Sequence, residues 1–155
     1  RTTCPYIMSY PASPHLAAEI DGITVDKDLI HHATEKLSRQ YDIVLLEGAG
    51  GLYVPVNRHY LTIDYISEYG YPLILVTSSK LGSINHTLMS LELCRIRGIR
   101  VSHVIYNDFP DNSEFIKADS IRVIGEYLKN YFPDTPLIEL PVIEKNTCPR
   151  LDIKL

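Results

Sequence analysis

Short apolar runs alternate along the chain with segments of helical period, and this alternation constrains the fold more than any single residue does. Asp42-Ile43-Val44-Leu45-Leu46 and Pro72 to Thr77 are apolar without alternation, as strands covered on both faces are. Val101 to Tyr106 reads as a third strand and Pro136 to Leu140 as a short last one. Between them, Leu29, Ile30, Ala33 and Leu37 recur at helical spacing behind Asp26, a capping residue, which predicts a helix from Asp26 to Arg39. Leu61 to Tyr69 closed by Gly70, Gly82 to Arg97 closed by Gly98, and Ser113 to Asn130 complete the helices. Strand and helix in alternation predict an α/β fold, with a mainly parallel sheet and helices on both faces. No repeat or linker interrupts residues 1–155, so a single domain is expected, with a peripheral tail from Lys145.

In such sheets ligands lie outside the carboxyl ends of the strands, so the residues after each strand are the ones to inspect. They are Glu47-Gly48-Ala49-Gly50-Gly51, Ser78 to Ser83, Asn107-Asp108, and Pro141-Val142-Ile143-Glu144. Glu47, at the end of a hydrocarbon strand, is placed to hold Mg²⁺ or act as a base; alternatively it caps the next loop by accepting backbone N–H bonds. The glycines after it suit an anion cradle, and equally a sterically tight turn. Gly82-Ser83-Ile84-Asn85 opens a long helix whose positive end favours a carboxylate or phosphate, unless Ser83 is simply a cap. Asn107 carries the paired donor and acceptor that can read a purine edge, although Asn-Asp also opens ordinary turns. His31 and His32 have no matching ligand cluster and read as surface residues.

Composition limits the partners. With 45% hydrophobic and 22% charged residues the chain is an ordinary globular sequence, and a net charge of -4 supplies no basic field for nucleic acid. No apolar run is long enough to cross a bilayer, no signal peptide opens the chain, and three widely spaced cysteines imply no disulfide framework. A cytoplasmic setting and small-molecule ligands are expected, without nucleic acid or membrane. The chain opens on Arg1 and reads like the middle of a longer protein. It contains no Gly-Lys dipeptide, so the G-x-x-x-x-G-K-[ST] phosphate loop of nucleotide-using α/β domains is not in these residues.

Leu46-Glu47-Gly48-Ala49-Gly50-Gly51-Leu52-Tyr53-Val54-Pro55 resembles the corresponding segment of the dethiobiotin synthetase family, as do Pro11 to His15, Lys80-Leu81-Gly82-Ser83-Ile84-Asn85-His86, Asn107-Asp108 and Leu140-Pro141, in order. The resemblance covers nearly everything from Cys4 to Glu144. It implies a P-loop NTPase-like three-layer fold, here lacking its first strands, in a homodimer. It also implies ATP- and Mg²⁺-dependent joining of CO₂, drawn from bicarbonate, to 7,8-diaminopelargonate to give dethiobiotin. By the same resemblance Glu47 would bind the metal and, with Gly48, Ala49 and Gly50, contact ATP, with Gly50 also touching the substrate. Gly82, Ser83, Ile84 and Asn85 would receive the substrate carboxylate, while Asn107, Asp108, Pro141, Val142 and Ile143 would hold adenine. The family's P-loop, catalytic lysine and second metal-binding aspartate lie upstream of the matching stretch, so the chain alone is expected to be inactive and no catalytic residue is assigned within it.

Two other readings compete. One is a ligand-binding or dimerisation module without a P-loop, against which Glu47 argues, because a carboxylate at a hydrocarbon strand end is costly unless paired. The other is a cobyrinate-type amide synthetase relative, disfavoured by the Lys80 to His86 match and by the absence of a glutaminase-like cysteine elbow.

Overall fold

A computed structural model describes residues 3–109 and 113–143. Glu144 and the tail from Lys145 lie outside the described residues. The chain divides into two compact units, Arg1–Tyr69 and Gly70–Leu155.

The second unit carries the sheet. Strand β3 (Leu73–Ser78), helix α4 (Ser83–Arg97), strand β4 (Val101–Asn107), helix α5 (Glu114–Tyr131) and strand β5 (Leu137–Leu140) follow one another in the predicted order. The strands are parallel, in the order β3-β4-β5, and their carboxyl ends stand level: Ser78 is opposite Asn107, and Asn107 opposite Leu140. This is an α/β architecture with a parallel sheet, as the alternation of strand and helix predicts. Val104 and Tyr106 from β4, Leu91 and Cys94 from α4, and Ile124 from α5 are fully buried. Burial in this apolar interior pushes the Cys94 thiol up to about 11, so it is a packing residue rather than a nucleophile. Gly98 ends α4 in the left-handed conformation, with φ 64°, and its N–H donates to the Arg95 carbonyl. Glu92 on α4 accepts from Arg95 and from the Tyr127 hydroxyl of α5 at 2.7 Å, tying the two helices together.

In the first unit, helix α1 (Pro14–Ile20) starts on a proline, which needs no N–H there, and buries Ala17 and Ala18. Helix α2 (Lys27–Ser38) is capped as expected, the Asp26 carboxylate accepting from the Asp28 N–H at 2.9 Å. A short antiparallel hairpin, β1 (Pro55–Asn57) and β2 (Tyr60–Leu61), leads into α3 (Thr62–Tyr69). Neither α1 nor the hairpin was evident in the sequence, because both are too short to display a period. Lys27 pairs with Glu68, the Tyr69 hydroxyl donates to Asp28 at 2.9 Å, and the His31 ring stacks on Tyr69 at 3.9 Å. His31 is therefore a half-buried packing residue, while His32 is exposed as expected.

One expected element does not form. Residues 42–46 join no strand ladder among the described residues, and Ile43, Leu45 and Leu46 are 61%, 75% and 49% exposed. Apolar content makes a segment suitable for a buried strand, but backbone hydrogen bonds from a neighbour make it one.

Candidate functional site

The level strand ends of the second unit bring together the polar residues that follow them. The Asp108 N–H donates to the Leu140 carbonyl at 3.0 Å, and the Ser79 hydroxyl donates to the Asp108 carbonyl at 3.5 Å. Asp108 thus links the ends of β3, β4 and β5. The Asn107 side-chain oxygen accepts from the Phe109 N–H at 3.0 Å, which closes an Asx turn and leaves the amide nitrogen as the donor the residue can offer a ligand. The ordinary-turn reading of Asn-Asp is the one this geometry shows, with the oxygen of the amide pair engaged inside the turn. Pro141, Val142 and Ile143 follow β5 with exposed side chains, giving apolar surface beyond the same strand ends.

Sequence reasoning did not anticipate Lys117. Its ammonium, on the first turns of α5, donates to Asp108 Oδ2 at 2.6 Å and lies 3.5 Å from Glu139 Oε2 on β5. The Asp108 hydrogen bond, reinforced by the charge of both carboxylates, holds the Lys117 ammonium above its ordinary range. No spacing signal could have found it, because Asp108 and Lys117 are nine residues apart and belong to different elements, and no helical or strand period relates them.

Gly82 precedes α4 with φ 90°, a conformation glycine adopts without strain. Ser83 is the first helical residue rather than the cap; it is buried, and its N–H donates to the Lys80 carbonyl at 3.0 Å. The expectation of a serine cap is corrected: backbone geometry at Gly82 starts the helix without a capping side chain. The N–H groups of Ile84 and Asn85 sit in the first turn, where a helix offers no acceptor of its own. Thr77 near the end of β3 and Thr87 in α4 share a buried 2.6 Å hydrogen bond, which sets this first turn beside the strand end.

Glu47, Gly48, Ala49 and Gly50 belong to the first unit. Gly50 has φ 94°, and a Cβ there would lie 2.8 Å from Val54 Cγ2. A Cβ on Gly48 would come 3.3 Å from Thr62 Cγ2. The turn is pinned to α3 by the Thr62 hydroxyl and the Thr62 N–H, both donating to the Val54 carbonyl. Steric need thus accounts for Gly50, and the backbone remains exposed. The Glu47 carboxylate is exposed and has no hydrogen bond or ion pair with the described residues. The expected position at a strand end and the cost attached to burying it are both corrected, since residues 42–46 join no strand ladder among the described residues and Glu47 is exposed.

No group of three or more His, Cys, Asp or Glu residues that could hold a metal ion forms among the described residues. A single exposed carboxylate is nevertheless a fitting donor for Mg²⁺, which is commonly held by one or two carboxylates together with phosphate oxygens and water. A cavity of about 390 Å³ opens in the first unit beside His15, Glu19, Val25, Arg58 and His59, and none of the nominated site residues lines it. No helix among the described residues is long and apolar enough to cross a membrane.

Comparison with known proteins places this geometry in context. A family model described as an AAA domain matches residues 2–145. The chain is 49% identical over 140 residues to the ATP-dependent dethiobiotin synthetase BioD of Chlorobaculum tepidum, covering 90% of this chain and 59% of that protein. It is 47% identical over 133 residues to the ATP-dependent dethiobiotin synthetase BioD 2 of Pasteurella multocida, covering 86% of this chain and 62% of the relative. Against the protein of that name from Haemophilus influenzae it is 57% identical over 109 residues, which are 70% of this chain and 57% of the relative. The chain spans about three fifths of the length of these curated relatives.

Proposed function

Because the chain belongs to the dethiobiotin synthetase family, we propose that it is the nucleotide-base and substrate-carboxylate portion of an ATP-dependent ligase of biotin biosynthesis. The observation that carries this reading is the level alignment of Ser78, Asn107 and Leu140, which gathers the donor of Asn107 and the apolar Pro141 to Ile143 at one end of the sheet. An adenine base laid there has a donor at Asn107 for a ring nitrogen and hydrocarbon beside its face.

In this proposal one amine of 7,8-diaminopelargonate attacks CO₂ to form a carbamate. A carbamate oxygen takes the γ-phosphoryl group of ATP, releasing ADP, and the second amine closes on the carbonyl carbon and expels phosphate, giving the cyclic urea. The positive end of α4, from Gly82 to Asn85, holds the substrate carboxylate and so fixes the chain that carries both amines. In the homodimer it would serve the partner's substrate. Glu47 is the carboxylate for Mg²⁺, and Gly48 to Gly50 allow close approach of phosphate and substrate to the backbone. Bound Mg²⁺ would neutralise charge on the phosphate oxygens.

Residues 1–155 contain no Gly-Lys dipeptide and therefore no phosphate-loop lysine. By themselves they neither hydrolyse ATP nor make dethiobiotin in this proposal. The test is the intact mass of the purified natural protein, followed by an assay for dethiobiotin with diaminopelargonate, bicarbonate, ATP and Mg²⁺. Product from a protein heavier than 17.6 kDa supports the ligase reading, and turnover by the 155-residue chain overturns its predicted inactivity. No product from the intact protein at saturating ligand overturns the ligase reading itself.

A further inference from the structure

Asp108 retains only 9% of its accessible surface, and its Oδ1 is buried without a hydrogen-bond partner among the described residues. A carboxylate in that position is costly unless a cation offsets it, and Lys117 does so at 2.6 Å. The same ammonium reaches Glu139 on β5, so one side chain of α5 spans the ends of two adjacent strands. Asp108 is also the residue whose backbone joins Leu140 and Ser79, and it directly follows Asn107.

We propose that Lys117 is a positioning residue for nucleotide-base recognition, fixing the Asn107-Asp108 turn through its bridge from Asp108 to Glu139. This rests on the reading above, in which Asn107 and Asp108 meet the base. The hydrogen bond from the Phe109 N–H to the Asn107 oxygen fixes the orientation of the amide and so the direction of its donor, and that turn lies between β4 and the helix that carries Lys117. Lys117 anchors the far side of the turn. Without it, Asp108 loses the partner of Oδ2, and the donor of Asn107 is no longer held in one place.

The consequence concerns the base and not the phosphates. In the intact natural protein, Lys117→Met is expected to raise the KM for ATP about tenfold, the effect of losing one well-placed hydrogen bond to the base, with kcat little changed. Discrimination between ATP and inosine triphosphate narrows, competition by inorganic tripolyphosphate is unaffected, and Lys117→Arg restores most of the wild-type KM. A folded Lys117→Met protein with unchanged KM and unchanged discrimination overturns the assignment, as does equal weakening of ATP and tripolyphosphate. Asn107→Ala separates the two levels of inference. If it leaves the KM for ATP untouched, the base-site reading fails and Lys117 with it; if it raises the KM while Lys117→Met does not, only the role of Lys117 fails. Should Lys117→Met not fold, Lys117→Gln is read in its place, with the same expected and overturning results.

Discussion

Thr77 Oγ1 and Thr87 Oγ1 lie 2.6 Å apart in the buried contact between β3 and α4. The two hydroxyls satisfy each other where neither reaches water, and they fix the first turn of α4 beside the end of the strand. Thr87→Val leaves the Thr77 hydroxyl buried and unpaired, which costs about 1–3 kcal/mol. Chemical denaturation checks this, with Thr77→Val/Thr87→Val expected to lose less than the sum of the single variants. An unchanged midpoint for Thr87→Val would show that the hydroxyl finds another partner.

Gly50 and Gly51 are adjacent, yet they respond differently to a methyl group. Gly50→Ala forces a left-handed conformation and a 2.8 Å approach to Val54, whereas a Cβ on Gly51 meets nothing within 4 Å. Gly50→Ala is expected to cost about 1–3 kcal/mol and Gly51→Ala no more than about 0.5 kcal/mol in thermal or denaturant unfolding. Equal effects would contradict the geometry of the turn.

Leu45 and Leu91 carry the same side chain in opposite surroundings, 75% and 0% exposed. Leu91→Ala is expected to destabilise the chain by about 2–5 kcal/mol and Leu45→Ala by no more than about 0.5 kcal/mol. A large loss at Leu45 in the 155-residue chain would place residues 42–46 in a packed strand after all.

The Arg95 guanidinium, with the Tyr127 hydroxyl, brings the Glu92 carboxyl down from its ordinary 4.5 to about 2. A carboxyl depressed in the folded state contributes stability that is complete above its unfolded value and disappears as pH falls through the folded one. The window is therefore from about 4.5 down to about 2. Glu92→Gln should flatten the decline of the urea midpoint over that interval, and less so at high salt, because the pair is partly exposed. An identical pH profile for wild type and Glu92→Gln would show that the bridge between α4 and α5 is energetically silent.

Local chemistry made much of the second unit legible in advance. The helical spacing from Ser83 to Arg97, the glycine that ends it, and the apolar run of β3 are decided within a few neighbours, so the expected elements differ from the observed ones only by a residue or two at their ends. The same holds for Asp26 as the cap of α2. Because parallel strands must return to one edge, alternation by itself also foretold that Asn107-Asp108 and Pro141 would follow neighbouring strand ends.

What the sequence by itself determined about this protein is thus the order and type of the regular elements in the second unit, and the motif that marks its family. Only tertiary structure decided the rest. Residues 42–46 have the composition of a strand, but a strand exists through hydrogen bonds to a neighbour, and composition does not supply one. Gly50 is required by the position of Val54, four residues on but brought close by the turn. Lys117 meets Asp108 because a helix packs its first turns over two strand ends, and a charge pair formed across such a distance leaves no period in the sequence from which it could be read.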